Sequence, residues 1–509
     1  MRRLTTGLAA WVLALPLAAV AATPVLSSAP AAQAATAYPG GPDPTPVMGW
    51  SGWSFLRLGV DAAQVRGEAR ALISTGLRSV GYRYVNIDDG WYQCPGPQGP
   101  NVDKYGRWVV NTASYPNVGH KNGVAALAAY VHRLGLKFGI YMTPGISQQA
   151  VAKNTPILGT HDTADQIATK AQENNYNCGG MVGINYAKPG ARAYLDSVVD
   201  ELASWGVDYV KLDGITNGNG ADVRAWQAAI HHSGRAMVLN ITQGSYTIKL
   251  APTLKKYANQ WEFTPDIEIN GPDEGSANSC NAPPFTGCLS VFPMTSYSHW
   301  SDRFNGVADW QPYGGPDGFN DYDSIEVGDG SADSGMSLAA SESQLSLWSL
   351  GSAPLILGVD LTKGVTNAYG SSAGLTPRDR RLLMNRQVIA VDQDAIDASR
   401  IADVGRPGRA AGHQVFAKVE RRRGDGVVGL FNTTTTLSSA PVTITTTAAA
   451  IGLPPDPRGY LVEDLWGSQS VIAGHARIFR ISAAGVITAT VPAEGVALYR
   501  IIPIGRHHR

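Results

Sequence analysis

At 509 residues the chain is longer than one small core requires, and its 41 lysines and arginines balance 41 aspartates and glutamates. No net field draws it toward nucleic acid or an anionic membrane surface, so selectivity has to reside in a local site. Twelve tryptophans and 20 tyrosines supply flat amphipathic rings that suit sugar faces, and suit core filling equally well.

The N-terminus opens Met1-Arg2-Arg3, runs through an apolar stretch from Leu8 to Val20 and reaches Ala-Gln-Ala at Ala32 to Ala34. This reads as a signal peptide over residues 1–35 and predicts secretion. Prolines and polar residues break the run before the roughly 20 apolar residues that a membrane anchor needs. No later segment is long and apolar enough to span a membrane, so no membrane partner is expected. Export permits disulfides, and the four cysteines are Cys94, Cys178, Cys280 and Cys288. Cys280 and Cys288 close a short loop and are the preferred pair, which leaves Cys94 with Cys178. No Cys-x-x-Cys or close Cys/His cluster argues for a metal.

From about residue 45 the chain repeats a short apolar strand ending in polar or acidic residues, then a helix-like segment. Candidate strands are Pro46 to Trp50, Tyr82 to Asp89, Leu136 to Thr143, Val207 to Asp213, Ala236 to Thr242, Asn259 to Asp266, Gly318 to Asp321 and Pro354 to Asp360. Gly123 to Leu134 and Ala191 to Trp205 place apolar residues at helical spacing. Eight strand–helix repeats predict an α/β fold, a (β/α)₈ TIM barrel over residues 36–394. The Gly-, Pro-, Ser- and Asn-rich segment from Asn270 to Asp309 reads as one long active-site loop. Beyond Asp394, β-prone segments at Gln414 to Glu420, Gly426 to Phe431 and Val442 to Thr447 predict an antiparallel β-sandwich over residues 395–503. Residues 504–509 read as a disordered basic tail.

A barrel of this kind builds its active site from the C-terminal ends of its strands, and here those ends are rich in carboxylates. Asp88 and Asp89 end the second strand, Asp213 the fourth, Asp266 the sixth, and Asp321 and Asp323 follow the seventh. So many like charges at one end repel one another unless sugar hydroxyls or a cation use them. A metal hydrolase ordinarily adds histidine ligands, and none of the ten histidines falls at a candidate strand end, which favours a carbohydrate substrate. Glycosidases use two carboxyl groups across an oxocarbenium-like transition state. Asp213 suits the nucleophile, because Lys211, two residues earlier and on the same strand face, can keep it ionised. An ordinary strand-end ion pair is the competing reading of Lys211 and Asp213.

The ordered motifs Met48-Gly49-Trp50-x-x-Trp53, Asn86-Ile87-Asp88-Asp89-x-Trp91, Gly139-Ile140-Tyr141, Trp205-Gly206-Val207-Asp208-Tyr209-x-Lys211-x-Asp213 and Gly318-Phe319-Asn320-Asp321-x-Asp323 resemble glycoside hydrolase family 27. The likeness continues through Ala353 to Gly358 and Asn385 to Asp394. It implies a retaining double displacement with Asp213 as nucleophile and Asp266 as acid/base. It also implies that Trp53, Asp88, Asp89, Tyr141, Lys211 and Asp323 line the pocket for the sugar, without a metal or organic cofactor.

Departures from the family's pattern bear on specificity. Glu262 stands where galactosidases of that family carry an Arg, and an ionised carboxylate accepts hydrogen bonds but donates none. Thr242 and Ser245 stand where galactosidases have a bulky Glu and Leu. Gly90 and Ile215 replace cysteines of many relatives, so the family's usual disulfides are not available. The resemblance implies an α-galactosidase first, with α-N-acetylgalactosaminidase, β-L-arabinopyranosidase and isomaltose-releasing dextranase as alternatives within the family. A secreted carbohydrate-binding protein without catalysis is the rival from another class.

Overall fold

The computed structural model describes residues 44–243, 247–268, 293–316, 318–363, 366–367, 370–371, 373–404, 412–471 and 477–505. Eight strands form one parallel sheet: β1 (Met48–Ser51), β2 (Tyr84–Asn86), β3 (Lys137–Met142), β4 (Tyr209–Ile215), β5 (Val238–Gln243), β6 (Gln260–Glu262), β7 (Phe319–Asp321) and β8 (Leu355–Leu357). Each pairs with its neighbour in the chain, and β8 pairs back onto β1, Met48 opposite Leu355. The ring closes just past β7, where Ile325 bridges to Leu357 and its N–H donates to the Ile356 carbonyl at 2.7 Å. The strands are near-continuous apolar runs because both faces of a parallel sheet are covered. Val210, Leu212 and Ile241 are fully buried.

Helices α1 (Ala62–Ser74), α2 (Gly123–Arg133), α3 (Pro189–Trp205), α4 (Gly220–His232), α5 (Ala251–Tyr257), α6 (Arg303–Trp310) and α7 (Leu338–Leu350) surround the sheet. Local chemistry sets their ends. Asp61 and Gln64 form a capping box at the start of α1, and α3 opens with a proline and stops at Gly206 in the left-handed region. Gly139 in β3 is required by close approach: a Cβ there would stand 2.0 Å from the Asn86 Oδ1.

The segment Asn270 to Asp309 is not one loop throughout. Its last part is helical, Tyr297–Trp300 and then α6, because Ser296 caps the first turn and Trp300, Phe304 and Val307 bury one face. Residues 269–292, and with them the expected Cys280–Cys288 pair, lie outside the described residues, as do residues 1–35 and 506–509. Cys94 is bonded to Cys178, 84 residues further on. Among the described residues, no helix is long and apolar enough to cross a membrane.

After the barrel, β9 (Ser399–Val404), β10 (His413–Val419), β11 (Gly426–Asn432), β12 (Val442–Thr447), β13 (Tyr460–Asp464), β14 (Ile478–Ile481), β15 (Val486–Val491) and β16 (Val496–Pro503) pair antiparallel. They make a six-stranded sheet, β9-β10-β11-β16-β13-β14, and a two-stranded one, β12-β15. Apolar residues between the sheets, including Val428, Ile444, Val462, Ile487 and Tyr499, form a core of their own.

The β region seals onto the barrel through α7, whose residues from Ala340 to Leu350 are all buried. Such a helix needs partners for its polar groups. Ser343 donates to the Glu494 carbonyl, Ser346 accepts from the Trp466 indole and Glu342 accepts from the Val471 N–H. The buried Lys418 of β10 donates to the carbonyls of Ser349, Val391 and Ile396 and to the Ser352 hydroxyl, at 2.7–3.1 Å. Burial lowers its pKa to about 8 against the pull of Asp392, Asp394 and Asp397. Replacing Lys418 with Ala leaves several buried acceptors unmet, an expected loss of about 3 kcal/mol. Thermal melting and limited proteolysis should show a less stable protein that is cut first around α7. An unaltered melt would assign the junction to its apolar contacts alone.

Candidate active site

The acids expected from the sequence gather at one end of the barrel. Lys211, in the middle of β4, donates to the Asp88 Oδ2 at 2.7 Å. Its partner is therefore Asp88 and not Asp213, although Lys211 and Asp213 share a strand face. Burial alone would lower the ammonium's pKa, but Asp88, Asp213, Glu262 and Asp266 outweigh it and hold the group firmly charged. Asp88 is completed by the Asp89 N–H at 2.8 Å. Asp89 is buried and accepts from the Asn177 side chain at 2.6 Å and the Gly90 N–H at 2.7 Å. Burial still lifts its pKa to about 6.

Asp213 is buried at the end of β4, accepts from the Gly214 N–H at 2.6 Å, and is raised to about 7 by burial, with Lys211 pulling it down and Asp266 pushing it up. Asp266 opens toward solvent on one side, yet lost hydration and the neighbouring Glu268 raise it to about 6, against Lys211 and Arg57. Both acids are thus raised toward neutrality in the free cleft. Lys211 fails to hold Asp213 low because its shortest contact is to Asp88.

Glu262 lies on β6, buried, with one oxygen that has no hydrogen-bond partner among the described residues. Burial, Asp323, Asp266 and Asp321 push its pKa well above the ordinary value. A Glu that keeps its proton can donate a hydrogen bond, so the charge reversal relative to an Arg becomes a neutralisation. Asp323 is raised to about 8 by burial, Glu268 and Asp266. It sits in the left-handed region at φ 71° and accepts from the Ile267 and Ser324 N–H groups at 2.6 Å each. One oxygen each from Glu262, Asp266 and Asp323 lies within 4.8 Å of the others. An all-oxygen set suits a hard cation, and the same closeness lets these acids raise one another's pKa.

Buried donors fix the backbone beneath these groups. Trp91 donates to the Tyr141 carbonyl, Gln243 to the Glu262 carbonyl and Trp348 to the Asp323 carbonyl, at 2.7–2.8 Å. The Tyr141 hydroxyl is buried without a partner among the described residues, and its pKa is raised by burial and by Asp89 and Asp213. Trp53 is half-buried under the guanidinium of Arg57, 5.1 Å from the ring centroid. Thr242 is buried on β5, whereas Ser245 lies outside the described residues. Asn320 and Asp321 do not join the acids at the mouth. Asn320 bonds Trp261 and Asp397, and Asp321 accepts from Asn240 at 2.6 Å.

Sequence reasoning missed Arg57, Arg303 and Asn177. Arg303 is buried and holds the Pro265 and Tyr322 carbonyls, the residues before Asp266 and Asp323, and stands 3.6 Å from the Asp323 carboxylate. These residues come from loops and a helix rather than strand ends, so strand periodicity carries no signal for them.

Two family models match the chain: alpha galactosidase A over residues 45–171 and 295–394, and the alpha galactosidase C-terminal beta sandwich domain over residues 410–501. The first covers Asp88, Asp89, Tyr141 and Asp323, and its matched parts leave out Asp213 and Asp266. An α-galactosidase of Cyamopsis tetragonoloba is 28% identical over 471 residues, 90% of this chain and 86% of that one. One from Oryza sativa subsp. japonica is 29% identical over 71% of this chain, which spans 66% of that relative's length, just under two thirds. Among solved structures, a β-L-arabinopyranosidase from Geobacillus stearothermophilus of the same numbered family, GH27, has a TM-score of 0.71 at 24% identity, over 91% of this chain and 97% of that one. That likeness concerns the fold.

The raised acids make stability depend on pH with a definite sign. Between an unfolded carboxyl value near 4 and folded values of about 6 for Asp89 and Asp266, about 7 for Asp213 and about 8 for Asp323, the folded state binds more protons than the unfolded one. Stability therefore falls as pH rises through that window. The melting temperature should be higher at pH 5 than at pH 8, and Glu262→Gln should narrow the gap by raising the pH 8 melt about 1 °C or more. A gap of the same size in both proteins would show that Glu262 carries no strained charge.

Proposed function

Because the chain belongs to glycoside hydrolase family 27, we propose that it is a secreted, retaining α-glycosidase that removes terminal α-linked galactose from oligo- or polysaccharides. The observation that carries the reading is the gathering at the barrel mouth of two carboxyls, Asp213 and Asp266, the second of which raises the pKa of the first, beside the Lys211–Asp88 ion pair. In the first step the Asp266 carboxyl gives its proton to the glycosidic oxygen while the Asp213 carboxylate attacks the anomeric carbon. The C–O bond to the leaving group breaks and a glycosyl ester forms. In the second step Asp266, now a carboxylate, takes a proton from water, whose oxygen displaces Asp213 from the same carbon. Two inversions return the original anomer.

The remaining groups have roles that follow from their chemistry. Asp88 and Asp89 accept from sugar hydroxyls, Lys211 donates, the unpaired Tyr141 hydroxyl donates toward Asp213 or the sugar, and Trp53 offers a ring face. Glu262, Thr242 and Asp323 shape the far side of the pocket, and Ser245 is assigned there by the resemblance. The raised pKa of Glu262, which lets it donate as well as accept, favours a second reading within the family, another α-linked glycone or a β-L-arabinopyranoside, which shares galactose's ring configuration.

Asp213→Asn should lower turnover by a factor on the order of 10³ or more with the fold retained. Proton NMR of the first-formed sugar should show the retained anomer, and the inverted anomer would exclude a nucleophilic Asp213. With the coupled acids at about 6 and about 7, kcat/KM should be bell-shaped with its maximum between them. Glu262→Arg should shift the ratio of kcat/KM toward α-galactosides over α-N-acetylgalactosaminides, β-L-arabinopyranosides and α-glucosides. Identical ratios in both proteins would show that Glu262 does not set specificity.

A further inference from the structure

Between β3 and α3 the chain makes a long excursion that includes a small antiparallel sheet of Ile146–Ser147, Ala168–Glu173 and Met181–Ile184. The turn 174–178 of this excursion is tied to the site at four of its five residues. Asn174 donates to the Gly214 carbonyl at 3.3 Å, immediately after Asp213. Asn175 accepts from the Tyr92 hydroxyl at 3.0 Å and the Cys178 N–H at 3.2 Å. Asn177 donates to the Asp89 carboxylate, and Cys178 is bonded to Cys94. The remaining residue, Tyr176, is 54% exposed.

A single exposed aromatic is unremarkable on a loose surface loop. Here the backbone on both sides of Tyr176 is held by contacts to Asp89 and to the residue after Asp213, so the ring is preorganised and loses little freedom on binding a ligand. Its neighbours Asn177 and Asn174 place it beside Asp89 and the residue after Asp213, and burial first, then the charges of Asp213, Asp266 and Glu262, push its hydroxyl up to about 12, so the ring stays neutral. Asp88 and Asp89 are buried, and the proposed function gives them the sugar whose bond is cut. In the proposed mechanism Asp266 gives its proton to the departing oxygen, and Asp266 and Tyr176 are both exposed to solvent.

We propose that Tyr176 is the stacking platform for the leaving-group sugar, so that the preferred substrates are oligosaccharides with a pyranose on the reducing side of the scissile bond. The proposal rests on the glycosidase reading and adds a subsite to it. The alpha galactosidase A model leaves residues 172–294, and so Tyr176, unmatched.

The test compares melibiose, which has a glucose leaving group, with α-galactosyl fluoride, which has no leaving sugar. The ratio of kcat/KM for melibiose to that for the fluoride should fall about 5–10-fold in Tyr176→Ala and stay near the wild-type ratio in Tyr176→Phe, which keeps the ring. A ratio unaltered by Tyr176→Ala overturns the proposal, whether both substrates lose equally or neither does. If the wild-type protein turned over neither probe, the galactosidase reading would fall, and the platform would be read by calorimetric binding of melibiose, isomaltose and their monosaccharides. A preference for disaccharides that disappears in Tyr176→Ala upholds the platform. Equal affinities in both proteins overturn it.

Discussion

The mouth of the barrel depends on one ion pair, Lys211 with Asp88 at 2.7 Å. Asp88, Asp89, Asp213, Glu262, Asp266 and Asp323 come together there, and a low-dielectric site cannot hold that many negative charges close together. Lys211 neutralises one and lowers the cost of several others, while Arg303 and Arg57 act from the edges. Burial first, and then the residual repulsion, raise the pKa values of Glu262 and Asp323. The same shortage of positive charge gives the site its chemistry, since carboxyls that titrate near neutrality can both take and give a proton.

That arrangement stands on a scaffold with polar contacts of its own far from the mouth. The buried α7 and Lys418 join barrel to β region through hydrogen bonds, and an aromatic contact of Phe304 with Phe431, at 5.1 Å, runs beside them. Arg303 opens the same helix as Phe304 and bonds the residues before Asp266 and Asp323. One short helix therefore links the packing of the β region to the placing of two acids. Breaking a contact at the junction would reach the site through rigid elements.

The disulfide works from the other side. Cys94 follows the β2 acids by a few residues and Cys178 ends the turn 174–178, so the bond ties the two walls of the cleft together. In a chain-entropy account, closing a loop of this length restricts the unfolded state by about 4–5 kcal/mol. Its local effect is more specific, because Cys178 directly follows Asn177, which donates to Asp89.

The sequence by itself determined the order and type of the elements. The short runs at 137–142, 209–215 and 238–243, set between helix-like segments, are strands of a covered parallel sheet, and the ends of its strands fall at one mouth because parallel strands share a direction. Residues 297–310 were less legible, their helical periodicity obscured by a Gly- and Pro-rich approach. Tertiary structure alone decided the partners. Lys211 and Asp213 share a strand face, yet the ammonium reaches 123 residues back to Asp88, because distance across the barrel mouth sets ion pairing and spacing along a strand does not. Likewise Glu262 is an acceptor when read as an isolated residue, and becomes a potential donor only when burial and three neighbouring acids raise its pKa. Periodicity is a local property of the chain, whereas charge state is a property of everything that the fold brings within a few ångströms.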